Sequence, residues 1–327
     1  MADLSTTYLG LKLKNPMIVG SSGLTNSIEK IKEAEANEAG AVVLKSLFEE
    51  QILYSTHQAK NESIPSNYPE AADYISNYTE TEYVDKYLRL IKDAKSQTSL
   101  PIIASINCVS DKEWTKFASK IQDAGADALE LNVFVLPSDN KRSGADNEKI
   151  YFNIIDKILN EISIPVAIKV SYYFSGLARF VTKLSWTGIK GIVLFNRFFS
   201  PDIDIDNFTI KATNVYSTAD ELPISLRWVA MLSDQIHCDV AASTGVHDSP
   251  ALIKQLLAGA NAVQMSSVLY KKGFSVLPGM KKDLETWMDK HGFKTIDDFR
   301  GKMSFKKAEN PAAYERVQFM KHFSGIE

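Results

Sequence analysis

Ala39-Gly40-Ala41-Val42-Val43-Leu44-Lys45 holds a helix stop, a short apolar strand and a polar residue at the strand's end, and the chain repeats that pattern. Ala124-Gly125-Ala126 leads through Ala128-Leu129-Glu130-Leu131 to Asn132. Gly188 leads through Gly191-Ile192-Val193-Leu194-Phe195 to Asn196, and Ala258-Gly259-Ala260 leads through Ala262-Val263-Gln264-Met265 to Ser266. Three apolar runs fit without the lead-in, Ile102 to Asn107, Val166 to Lys169 and Val240 to Thr244, and Met17 to Gly20 precedes them all, ending at Ser21-Ser22. Continuous apolar runs separated by helical patterns are the mark of parallel strands buried on both faces. Eight of them predict an α/β chain folded as a closed (β/α)8 TIM barrel. The active-site face of such a barrel is built at the strand C-termini. Here that face carries Ser21, Lys45, Asn107, Asn132, Lys169, Asn196, Thr244 and Ser266.

With 327 residues the chain has room for one barrel and some insertions, and without a Pro/Ser-rich linker it reads as a single domain over 1–327. One insertion, 48–99, follows strand 2; it lacks glycine and is rich in tyrosine. Tyr83, Val84, Tyr87, Leu88 and Ile91 recur at helical spacing in its second half, with Thr81 as N-cap. Its first half, Gln51 to Tyr68, reads as an irregular loop, either a lid over the barrel mouth or a subunit interface. In the tail, 303–327, Asn310-Pro311 starts a helix with Ala313, Val317, Met320 and Phe323 on one stripe.

A formal net charge of -3 without a basic cluster gives no electrostatic footprint for nucleic acid. No apolar run approaches a membrane span, and Met1 to Lys14 has no apolar signal core, so a soluble cytoplasmic protein is expected. A small-molecule substrate and a homodimeric assembly complete the expectation. Cys108 and Cys238 read as buried free thiols, and they show no metal-type spacing with the five histidines.

Ser243-Thr244-Gly245-Val246 ends strand 7, Ser249-Pro250 opens a helix that Gly259 stops, and Ser266-Ser267 opens a short helix after strand 8. Barrels that bind phosphorylated ligands hold the phosphate on these loops, through backbone N–H groups and a short helix N-terminus. Lys45 and Lys169 end strands 2 and 5, almost facing each other across the barrel. A lysine on a buried strand needs a partner or a task. The candidate roles are stabilising a reduced flavin, Schiff-base chemistry at a desolvated amine, or an ion pair such as Lys169 with Glu130. Asn107, Asn132 and Asn196 each both donate and accept, which suits a ligand edge alternating C=O and N–H, as in a flavin or pyrimidine.

These residues carry a resemblance. Asn15-Pro16, Ser21-Ser22-Gly23, Lys45-Ser46, Glu130-Leu131-Asn132, Pro165-Val166-Ala167-Ile168-Lys169, Thr244-Gly245-Val246, Gly259-Ala260 with Gln264, and Ile296-Asp297-Asp298-Phe299-Arg300-Gly301-Lys302 together resemble the class 1 dihydroorotate dehydrogenases of pyrimidine biosynthesis. The resemblance implies FMN with its phosphate on Thr244-Gly245 and Ser266-Ser267, its ring against Ser22, and its polar edge near Lys45, Ser46, Asn107, Asn132 and Lys169. It implies substrate contacts from Lys45, Asn132 and Asn196. The chain also departs from that family. Where an Asn-x-Ser-Cys-Pro-Asn run supplies the catalytic cysteine, this chain has Asn132-Val133-Phe134-Val135-Leu136-Pro137, with Val135 at the base position. The Asn-x-x-Gly-Leu-Pro-Asn substrate loop has no counterpart, and Arg197 follows Asn196.

The leading expectation is an FMN-dependent oxidoreductase of dihydroorotate dehydrogenase type acting on the CH–CH group of a small, pyrimidine-like substrate. Proton transfer then falls to water or to a group near Ser138, Asp139 or the 48–99 insertion. The alternatives are a non-catalytic FMN-binding protein and a Schiff-base lyase using Lys169.

Overall fold

A computed structural model describes residues 2–49, 52, 81–110, 113–198 and 200–315. Its barrel strands are β1 (Met17–Val19), β2 (Ala41–Val43), β3 (Ile102–Cys108), β4 (Ala128–Val133), β5 (Val166–Val170), β6 (Gly191–Leu194), β7 (Asp239–Ser243) and β8 (Ala262–Met265). Each pairs in parallel with the next, and β8 pairs with β1, so the sheet closes in sequence order. All eight stand where the apolar runs place them.

The barrel's lower interior is apolar. Ile18, Val43, Ile103, Ala128, Ala167, Val193, Ala241 and Ala262 form one cluster with Tyr8, Leu9 and Leu13. Those last three belong to an antiparallel hairpin, Thr6–Tyr8 with Leu11–Leu13, that plugs the barrel floor. Its two-residue turn, Leu9-Gly10, has φ of 57° and 75°, the left-handed pair that matches hairpin twist. Small side chains at the floor leave room for this plug, and Gly191 lies directly against Leu9 and Tyr8.

Two residues farther along the strands the interior turns polar, with Ser105 on β3, Glu130 on β4, Lys169 on β5, Ser243 on β7 and Gln264 on β8, all buried. Side chains alternate in and out with period two, so this polar layer sits above the apolar one, toward the strand C-termini.

In the insertion, Thr81–Gln97 is a helix with Val84, Tyr87 and Ile91 buried. The Tyr87 hydroxyl accepts from Ser105 N–H at 2.7 Å, which ties this helix to β3. The loop expected over Gln51 to Tyr68 lies outside the described residues except for Ile52. In the tail, Ala312–Glu315 is helical, and Val317, Met320 and Phe323 lie outside the described residues. The helix Ser249–Ala258 is capped by Asp248, whose carboxylate accepts from Ala251 N–H at 2.8 Å, and it ends at Gly259 with φ 116°.

A second hairpin, Ser200–Asp204 with Thr209–Thr213, projects after β6 and is absent from the sequence expectations. Ile203 and Ile210 are cross-strand partners on it, and Ile203, Ile205, Phe208 and Ile210 are all exposed. Cys108 is buried and Cys238 only half-buried, and neither is in a disulfide among the described residues. Burial with Asp239 alongside pushes the Cys238 thiol up to about 12. Among the described residues no helix is long and apolar enough to cross a membrane.

Candidate active site

Register brings three of the expected residues together: Asn107 on β3 pairs with Asn132 on β4, and Asn132 pairs with Lys169 on β5. Lys169 is 8% exposed and donates to Gln264 Oε1 at 2.9 Å. The Gln264 amide in turn donates to Glu130, whose other carboxylate oxygen lies 4.0 Å from Lys169 Nζ. The ion pair with Glu130 weighed from sequence is thus present, but Gln264 mediates it, and 4.0 Å is too long for a direct hydrogen bond. Burial pushes the Lys169 ammonium below the ordinary lysine value, and Glu130 opposes that shift. An ammonium has three donors and Gln264 occupies one of them.

A cavity of about 420 Å³ opens beside this triad, within the usual size of small-molecule sites. Lys169, Gln264, Asn196 and Ser21 wall one part of it; Thr244, Gly245, Val246, Ser266 and Ser267 wall another. The polar strand ends and the loops after β7 and β8 therefore share one space. Ser22, Lys45, Ser46, Asn107 and Asn132 lie on the same barrel face, outside those walls. Ser22 caps a turn, its hydroxyl accepting from Leu24 N–H at 3.3 Å. Ser46 links Ser21 at 3.0 Å to Ser105 at 2.8 Å through hydroxyl contacts.

Lys45 departs from the reading that placed it among apolar neighbours: it is exposed, in the break between β2, which ends at Val43, and Leu47–Phe48, where pairing with β3 resumes. Val135, expected from the sequence to stand at the family's base position, is 8% exposed and belongs to the hydrophobic core. Ser138 and Asp139 are exposed, and Asp139 accepts from Lys141 N–H at 2.9 Å in a turn away from the cavity walls. Arg197 is held by three contacts, to Glu221 at 2.8 Å, to Val215 O at 3.1 Å and to Asn214 O at 2.5 Å.

Gly245 has a different reason to be glycine from the one its motif suggests. Thr244 and Gly245 have φ of 77° and 80°, and a Cβ on Gly245 would collide with the Glu221 and Leu222 backbone at the start of the helix Leu222–Leu232. The glycine is required by close approach of the protein's own chain.

Sequence reasoning missed the segment that walls the cavity between the projecting hairpin and that helix. Ser217 N–H donates to Ser267 Oγ at 3.0 Å, its hydroxyl meets His247 Nε2 at 3.0 Å, and its carbonyl accepts from Lys271 at 2.9 Å. Burial, with Lys271 and Lys272 nearby, pushes His247 below the ordinary histidine value. A short polar connector has no periodicity to mark it.

The donor set fits a flavin mononucleotide. Asn132 Oδ1 is buried without a hydrogen-bond partner, Lys169 has unused donors, and the cavity joins a polar inner wall to the two loops where barrels hold phosphate.

Fold and site define a (β/α)8 barrel with a charged triad beneath a ligand-sized cavity at the strand C-termini. The profile of the family described as Dihydroorotate dehydrogenase matches residues 3–288, and the chain belongs to that family. It is 28% identical over 309 residues to Dihydroorotate dehydrogenase B (NAD(+)), catalytic subunit, of Thermoplasma volcanium, across 92% of this chain and 98% of the relative. It is 25% identical over 303 residues to Dihydroorotate dehydrogenase A (fumarate) of Limosilactobacillus reuteri, across 90% and 96%. It is 23% identical over 317 residues to Dihydroorotate dehydrogenase (fumarate) of Lachancea kluyveri, across 93% and 99%.

Proposed function

We propose that this chain is a cytoplasmic FMN-dependent oxidoreductase acting on the CH–CH group of a small planar substrate, for which dihydroorotate is a poor fit. The observation that carries this reading is the single cavity shared by Lys169 and Gln264 with Thr244, Gly245, Ser266 and Ser267. FMN, when bound, supplies hydride transfer. Lys169 holds positive charge at the inner wall, where it stabilises a ligand edge that becomes anionic. Gln264 fixes the direction of the Lys169 side chain, and Glu130 opposes the loss of charge that burial favours. Asn196, on the cavity wall, orients the substrate through its amide, and the family resemblance adds Lys45 and Asn132 as contacts from the same barrel face. Val135 can neither take nor give a proton, so the group that serves dihydroorotate oxidation in the family is missing here. The reading includes a homodimer, which the exposed apolar face of Ile203 and Ile210 supports; light scattering on the wild type and on Ile210→Lys tests it.

The purified protein should be yellow, and its flavin band should bleach under anaerobic titration with the true reduced substrate. A colourless protein that also fails to take up added FMN contradicts the reading.

A second reading, a Schiff-base lyase, draws on the same lysine. Burial favours the neutral amine at Lys169, and the neutral amine is the nucleophile. Borohydride with a carbonyl substrate separates the two, because a trapped adduct on Lys169 would favour the lyase.

A further inference from the structure

The loops after β4, β5 and β6 each bring aromatic rings to the rim of the barrel, and these rings form one connected chain. Phe134 and Phe198 have centroids 4.3 Å apart, and Phe198 meets Tyr173 edge-on at 5.1 Å. Tyr173 lies 4.6 Å from Tyr172, which meets Phe195 edge-on at 5.7 Å. Such contacts usually close a core, yet Tyr172 and Tyr173 remain 38% and 40% exposed.

The exposed part faces a concavity. A second cavity, of about 80 Å³, is lined by Tyr172, Tyr173, Phe195 and Phe198, and it shares Asn196, Arg197, Ser243 and Thr244 with the larger one. It is a side annex of the proposed active site. Apolar cavities of about 150 Å³ take benzene whole. One of about 80 Å³ that adjoins a larger space has room for a single ring whose attachment edge stays outside. Arg197 and Glu221 line the annex but are committed to each other, and Arg197 to two carbonyls as well, so the ring faces are joined there by the Asn196 amide and by the hydroxyls of Ser200, Ser225, Ser243 and Thr244.

Within the function proposed above, we propose that the annex is a specificity pocket for an aromatic ring. The substrate is then a planar unsaturated acid or amide carrying an aryl group, or its saturated counterpart. The Phe134-Val135-Leu136 run at the end of β4 fits this better than it fits a polar dihydropyrimidine: Phe134 belongs to the ring chain, and Leu136 is half exposed beside it in sequence.

Two probes differing only in that group test the pocket: trans-cinnamate and crotonate, the same unsaturated acid with phenyl or methyl, titrated by calorimetry into the FMN-loaded full chain. Cinnamate should bind at least about tenfold more tightly. Tyr173→Ala and Phe198→Ala should bring the two affinities within about threefold of each other, while Tyr173→Phe, which keeps the ring, should preserve the preference. Equal affinities in the wild type, or no binding of either acid, would overturn the pocket. So would a preference that both alanine variants retain. If those variants fail to fold, the wild-type ratio and Tyr173→Phe still decide. Failure of the chain to hold FMN would count against the oxidoreductase reading, whereas a flavin-loaded chain without the preference counts against the pocket alone.

Discussion

Lys169 and Gln264, 95 residues apart on β5 and β8, meet across the barrel interior in a hydrogen bond of 2.9 Å, and through Gln264 the ammonium is linked to Glu130. A buried charge without its partner is costly, and removing one member of a buried pair typically costs about 3–5 kcal/mol. Glu130→Ala should destabilise the chain by roughly that amount. Lys169→Met with Glu130→Gln should cost less than Glu130→Ala alone, because both charges leave together. Urea unfolding of the variants without ligand measures both.

Lys169 also gives a pH dependence with a definite sign. Its native pKa lies below the ordinary lysine value because burial disfavours the ammonium. Lys169→Met should lower the reduction potential of bound flavin at neutral pH. The gap between wild type and variant belongs to the charged form. It is therefore full below the depressed native pKa and shrinks as pH rises through it, before free lysine would lose its proton. Spectroelectrochemistry of both proteins across the alkaline range reads the gap, and a gap that stays constant up to the pKa of free lysine argues against the assignment.

Dihydroorotate oxidation should be slow. Loss of a positioned base typically costs about a hundred- to ten-thousand-fold in rate, and Val135, which we assign to the base position, is packed in the core. The anaerobic rate of flavin reduction by dihydroorotate, compared with Val135→Cys, is the measurement. Fast reduction in the wild type would mean that another group has taken over the proton.

Gly245→Leu should destabilise the protein whether or not a ligand is present. The new side chain would strike the Glu221 and Leu222 backbone, and φ of 80° is unfavourable for any side chain. Thermal unfolding of the ligand-free variant should show the loss. An unchanged midpoint would restore the simpler role of this glycine as space for a ligand.

The eight barrel strands were legible because burial on both faces leaves continuous apolar runs, and Gly40, Gly125 and Gly259 mark where helices stop before three of them. The strand-end positions of Asn107, Asn132 and Lys169 followed from the same runs, and the register joins them. The burial of Lys45 was misjudged because it falls in the break between Ala41–Val43 and Leu47–Phe48, where the strand's in-and-out alternation is interrupted. The hairpin after β6 was written in Asp202-Ile203-Asp204-Ile205, an alternation of period two. A reading tuned to continuous apolar runs passes over that signal. The Gln264 bridge and the Ser217 contacts join residues 30 or more positions apart, and no local pattern encodes them.

The central claim is that the cavity between Lys169 and the loops after β7 and β8 holds FMN. Its most direct measurement is the flavin released per chain from purified wild type and from Ser266→Asp, after each has been saturated with FMN and desalted. Ser266 walls the cavity and is half-buried, so a carboxylate there would repel a phosphate held at low dielectric. The account predicts close to one FMN per wild-type chain and a loss of at least about tenfold in affinity in a folded Ser266→Asp variant. No flavin in the wild type, or full retention of flavin by Ser266→Asp, would contradict it.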